Sequence, residues 1–230
     1  MNDLMMQSLF FGVMISIAMY ELGVWCKRKT KIALLNPLLF SIAAVIIILL
    51  VCHIDYDTYN NGAKYLSYLL TPATVCLAVP LYEQFELLKK NIRAIMAGIV
   101  SGALTSVTCV LVLSMLFKLS HAEYVTLLPK SITTAIGMGI SEELGGVVTI
   151  TVAVIIITGV FGNITAEFIC KLFRIEEPIA KGIAIGSASH AVGTAKAMEL
   201  GEIEGAMSSL SIAVSGLITV VLSMIYAGIY

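Results

Sequence analysis

The stretch GIAIGSASHAVGTAKAMELGEIEGA, residues 182–206, decides how this chain is read. It lies between apolar segments, yet it carries Ser187, Ser189, His190, Thr194, Lys196 and Glu199, with Gly182, Gly186, Gly193, Gly201 and Gly205 among them. Polar and ionisable side chains at membrane depth are costly, and they face a cavity or a substrate path. Glycines at such a depth let a helix break or let backbone approach a ligand. The stretch therefore reads as half of a substrate site inside a small membrane transporter.

Composition sets the solvent. The 230 residues are 59% hydrophobic and 13% charged, and the mean hydropathy is +0.97. Soluble domains carry roughly 25% charged residues, so this much apolar surface points to a bilayer. There is room for about six to eight membrane-spanning or re-entrant helices at roughly 20 residues per span. One membrane domain over residues 1–230 is expected. A net charge of −1 argues against nucleic acid as a partner. The five cysteines (Cys26, Cys52, Cys76, Cys109, Cys170) are scattered and mostly inside apolar runs, so they read as core residues rather than a disulfide framework or metal site. The basic cluster follows the first apolar run, which is the pattern of a retained helix.

Outward from the opening stretch, loop charge orders the spans. The first runs over 5–25 and is followed by Lys27, Arg28, Lys29 and Lys31, which makes that loop cytoplasmic. The second runs over 34–52 with Pro37 in its first turn, followed by a polar outer loop with Asp55, Asp57, Asn60 and Asn61. The third, over 63–82, is interrupted by Pro72 and Pro80, with Thr71 and Thr74 available to the freed backbone groups. Lys89, Lys90 and Arg93 mark a second inner loop before a fourth span over 95–117, and His121 and Glu123 follow in an outer loop. The segment LLPKSITTAIGMGISEELGG, 127–146, is too short and polar to cross. It lies between a span ending outside and one, over 147–170, that ends inside at Lys171 and Arg174. It must enter and leave on the same side. The opening stretch either crosses as a broken helix, leaving the turn GEIEG outside, or is re-entrant, which reverses that turn and the last span, 206–230; the absence of Lys and Arg from GEIEG favours outside.

VSG occurs at 100–102 and again at 214–216, each after an interrupted polar segment and an apolar span. The two units, 33–118 and 127–230, after an N-terminal helix and basic loop over 1–32, would start on opposite sides of the membrane. Inverted repeats with paired broken helices mark secondary transporters.

LLPKSITTAIG, then KLFRIEEPIAKGIAIGSASHAVGTAKAMELGEIEGAMSSL, together with TPATVCLAVPLYEQ, closely resembles the CidB/LrgB family of bacterial membrane proteins, over 36–230. The resemblance implies an inner (plasma) membrane location and a holin- or antiholin-like role in murein hydrolase control, autolysis and programmed cell death. Related members, a plastid envelope protein among them, are associated with transport of pyruvate, glycolate and glycerate. A four-span CidA/LrgA-type protein is the implied partner, and a homo-oligomer is expected. One departure is Ala135, where many relatives have proline after the paired threonines.

A small carboxylate needs hydrogen-bond donors and positive potential, which helix N-termini supply. Ser131, Thr133 and Thr134 follow Pro129, and Ser187 and Ser189 precede a second helical run. Lys130 and Lys196 are the cationic partners. With Thr71, Thr74, His190 and Thr194 these form the expected substrate site. His190, Glu142, Glu143 and Glu199 are the proton-coupling candidates, histidine for its ordinary titration range. The three histidines are far apart and no Cys pair has ligand spacing, so no metal is expected. No phosphate loop or GxSxG elbow occurs, so neither ATP drive nor enzymatic hydrolysis is indicated, and no cofactor is expected. The reading is a proton- or ion-coupled monocarboxylate transporter. The alternative is a holin-like pore or lysis regulator.

Overall fold

The structure, a computed structural model, describes residues 10–30, 36–76 and 78–230, apart from the side chains of Leu70, Thr71 and Thr74. Among the described residues all regular structure is helical, as composition and hydropathy require. The chain divides into two compact units, Met1–Cys76 and Leu77–Tyr230.

The first unit holds α1 (Phe11–Thr30), α2 (Pro37–Val51), α3 (Tyr56–Ser67) and α4 (Leu70–Cys76). The expected first span is helical from Phe11 and continues through Lys27, Arg28 and Lys29; its residues before position 10, and Lys31 and Leu34, lie outside the described residues. Asn36 starts α2 by accepting a hydrogen bond from the Leu38 N–H at 2.8 Å, and Pro37 takes the first position, where its missing donor costs nothing. The polar loop expected after α2 is instead mostly helix: Asp55 is the N-cap of α3, and Asp57, Asn60 and Asn61 lie within it. Asn and Gly have weak helix propensity, so the segment looked like loop, but packing against α1 overrides propensity. The Ser16 hydroxyl of α1 meets the Tyr59 hydroxyl of α3 at 2.8 Å. Pro72 falls in the first turn of α4, where a broken helix restarts without needing the lost donor.

The second unit holds α5 (Ala78–Glu83), α6 (Phe85–Phe117), α7 (His121–Leu127), α8 (Thr134–Glu143), α9 (Val148–Leu172), α10 (Pro178–Leu200) and α11 (Glu202–Ala227). Pro80 likewise sits in the first turn of α5. Helices α6, α9 and α11 are long and apolar enough to cross a membrane. Large apolar side chains on their outer faces, such as Leu116, Phe168 and Leu217, are 66–70% exposed, a cost that only lipid contact removes. The chain is an all-helical membrane protein.

Basic residues collect at one end of this unit. Leu88, Ile179 and Ile203 pack on one cluster with Ile95, Ile99, Ile183 and Met207, beside Lys89, Lys90 and Lys181 in sequence. That end is the inner one. At the other end the Tyr124 hydroxyl donates to the Tyr226 carbonyl at 2.9 Å, and the Tyr230 hydroxyl donates to the Leu119 carbonyl at 2.7 Å. Helices α6 and α11 therefore run parallel, and α11 ends outside.

Two helical hairpins dip between the long helices. The outer one, 120–146, returns to its start: Val147 N–H donates to the Thr126 hydroxyl at 2.8 Å, and the Thr151 hydroxyl donates to the Thr126 carbonyl at 3.0 Å. This is the same-side return that the span count required. His121 and Glu123, expected in a loop, form the first turn of α7 under a capping box with Ser120.

The inner hairpin is α10 itself. His190 has φ 41° and ψ −141°, which breaks the helix and reverses it. A Cβ on Gly193 would lie 3.2 Å from the Ile185 carbonyl oxygen, whereas eight residues of unbroken helix span about 12 Å. Gly182 lies against Glu204, and Gly205 lies against Met198: a Cβ on each glycine would be 3.1 and 3.3 Å from the partner's Cα. Gly182 and Met198 would be about 24 Å apart in a straight helix. The opening stretch is thus re-entrant, and GEIEG lies at the inner end rather than outside, as its lack of basic residues suggested, because Ile203 packs on the inner cluster.

Candidate functional site

The tips of the two hairpins converge on one cavity. From the outer hairpin comes the turn after Pro129, where Ser131 is 6% exposed. Its hydroxyl meets the Ser106 hydroxyl of α6 at 2.9 Å and accepts from the Lys130 Nζ at 3.0 Å. From the inner hairpin comes the first arm of α10, with Ser187 against Gly102 of α6 and Ser189 against Gly162 of α9. These neighbours are glycines for a steric reason. A Cβ on Gly162 would overlap the Ser189 side chain, and one on Gly159 would lie 2.6 Å from the His190 ring. Small residues let the hairpin sit this deep.

The cavity has a volume of about 910 Å³, and Lys130, Ser131, Ser187 and Ser189 all line it. Its walls are α6 and α9, and its floor is the first arm of α10. Along α6 it runs from Asn91 to Cys109, a rise of about 27 Å. Most of the lining is apolar or small. Among the described lining residues Lys130 is the one cation and Glu177, at the inner start of α10, is the one acid. No Asp or Glu of the described residues lies within 4.0 Å of the Lys130 amine.

The other expected site residues are elsewhere. The His190 ring is buried and its Nε2 donates to the Ile155 carbonyl at 2.9 Å, so the ring anchors the hairpin tip to α9 and does not line the cavity. Thr194 faces α11, where its hydroxyl pairs with that of Ser208 at 2.7 Å. Lys196 lies on the return arm, 3.5 Å from Glu167 of α9 and 3.2 Å from Glu199. Thr133 is the N-cap of α8 and Thr134 its first residue, and neither lines the cavity. Glu142 and Glu143 are exposed at the outer end of α8, and Glu199 is exposed. The side chains of Thr71 and Thr74 lie outside the described residues.

Sequence reasoning missed Ser106, Gly159, Gly162, Glu167 and Ser208 as partners of the hairpins. A weak signal existed for the glycines, which recur at helical spacing in an apolar run. For Glu167 and Lys196, 29 positions apart, there was none. Freed backbone groups at the break are repaired from α9 and within the arm: Asn163 Nδ2 donates to the Val192 carbonyl at 2.7 Å, and the Thr194 hydroxyl donates to the His190 carbonyl at 3.0 Å.

Comparison with known proteins agrees with this geometry in extent. Residues 16–229 match the LrgB-like family. The chain is 36% identical over 218 residues to antiholin-like protein LrgB of Bacillus subtilis (strain 168), covering 94% of each. It is 38% identical over 213 residues to the proteins of that name from Bacillus mycoides (strain KBAB4) and Bacillus cereus (strain B4264), covering 92% of this chain and 93% of theirs. No solved structure matches. With nearly the whole chain aligned, both hairpins included, this protein belongs to the LrgB-like family.

Proposed function

We propose that the protein is a transporter of small monocarboxylates in the bacterial plasma membrane, working by alternating access around the two hairpin tips. One observation carries this reading: a lysine with no acidic neighbour among the described residues sits with buried serine hydroxyls at one end of a largely apolar cavity. A single positive group with hydroxyl donors suits a single carboxylate, and the apolar walls suit a short carbon chain. Paired re-entrant hairpins from opposite sides are the architecture in which such sites alternate. The test is uptake of labelled pyruvate and 2-hydroxy acids into proteoliposomes, with and without a four-span partner. Saturable uptake that Lys130→Met abolishes is expected. No saturable uptake of any such acid, in either setting, removes the reading.

The relatives' name, antiholin-like, favours a second reading: control of lysis through assembly with membrane partners, with murein hydrolase activity as the downstream target. The two readings separate on one variant. A lysis phenotype produced by weak-acid export disappears with Lys130→Met, whereas one produced by assembly persists.

A further inference from the structure

We propose that Lys130 is at once the anion-binding group and the proton carrier of this site: neutral while the cavity is empty, and protonated when a carboxylate lies beside it, so that each anion crosses with one proton. The proposal rests on the transport reading above and gives it a coupling mechanism.

The surroundings of the amine carry the argument. Lys130 is half-buried, and its Nζ is 3.0 Å from the Ser131 hydroxyl. From α6 the facing polar groups are Ser106, bonded to Ser131, and Cys109, one turn further on the same face. The lining residues of α9 at this depth are Thr158, Phe161 and Gly162, and those of α10 are Ser187, Ala188 and Ser189. None is charged. Glu177 is ten residues before Ser187 on α10, about 15 Å along the helix. An ammonium in such a setting has no counter-charge within reach until an anion enters. A carboxylate entering the same setting is equally short of compensation. Together they neutralise each other, so binding of the anion and of the proton are linked.

The alternative carriers are committed elsewhere. His190 spends its Nε2 on the Ile155 carbonyl and does not line the cavity. Glu142, Glu143 and Glu199 are exposed. The balance is simple. On one side Nζ takes a proton from water as RCOO⁻ binds; on the other the carboxylate leaves, the proton returns to water, and the amine is neutral again. The net charge moved is zero.

Proteoliposomes test this directly. Wild-type uptake should follow an inward proton gradient, with accumulation rising about tenfold per pH unit, and should ignore a potassium diffusion potential set by valinomycin. Lys130→Arg keeps a permanent cation, because a guanidinium does not deprotonate in proteins. Whatever uptake it keeps should no longer follow the proton gradient, so accumulation falls to simple equilibration. If wild type transports and Lys130→Arg still accumulates substrate like wild type, the coupling proposal is overturned and the transport reading stands. If wild type shows no saturable uptake, the transport reading itself fails. Should arginine prove too large to function at all, proton uptake on pyruvate binding to the purified wild type decides. One proton per substrate, lost in Lys130→Met, supports the proposal, and none overturns it.

Discussion

The Nε2 of His190 lies 2.9 Å from the carbonyl oxygen of Ile155, and this bond pins the reversal of α10 to the middle of α9. A carbonyl only accepts, so the ring donates from Nε2. His190 also holds a backbone conformation that side chains rarely adopt. His190→Ala keeps the awkward backbone and loses the anchor. A loss of about 1–3 kcal/mol in stability is expected, read by thermal unfolding in detergent. The pH profile of uptake per folded molecule should not move, because the ring is not in the cavity. A shifted profile would make His190 the proton carrier instead.

Gly162 and Ser189 form a size-matched pair, since a Cβ on the glycine overlaps the serine side chain. Gly162→Ala is expected to cost about 1–3 kcal/mol by overpacking. Ser189→Gly in the same protein should recover part of that loss. A double-mutant cycle on melting temperature measures the coupling, and strict additivity would mean the two do not touch.

Thr194 and Ser208 share a buried hydroxyl contact at 2.7 Å between the return arm and α11. Removing one hydroxyl leaves the other with one partner fewer, a loss of about 1–3 kcal/mol. Thr194→Val with Ser208→Ala together should cost less than the sum of the singles.

Topology gives a fourth test. Because α10 doubles back, a cysteine at Glu202 and one at Lys181 should both label from the inner face, and one at Glu142 from the outer face. A Glu202 cysteine that labels only from outside would show that α10 crosses the membrane.

Glu123 offers a pH test away from the membrane core. The Ser120 hydroxyl and then the Ser120 N–H, both at 2.7 Å, hold its carboxyl below the ordinary carboxylate value. A group depressed on folding stabilises at pH above its unfolded value and loses that contribution as pH falls through the folded one. Melting temperature should therefore fall with acid over that window, and Glu123→Gln should flatten the trend.

Much of this protein was legible in its residues alone. Apolar composition demanded a bilayer, basic loops ordered the spans, and the polarity of 127–146 forced a same-side return, because backbone in lipid must satisfy itself. Ser131, Ser187, Ser189 and Lys130 were recognisable as too polar for lipid. Only the tertiary structure decided that 182–200 turns back, since the turn falls at His190, with neither glycine nor proline to mark it. Only packing separated the two candidate lysines: Lys196 meets Glu167 across 29 positions of sequence, while Lys130 meets no acid among the described residues. Local composition records which side chains are costly in a membrane; which of them find a partner depends on contacts that the chain makes only when folded.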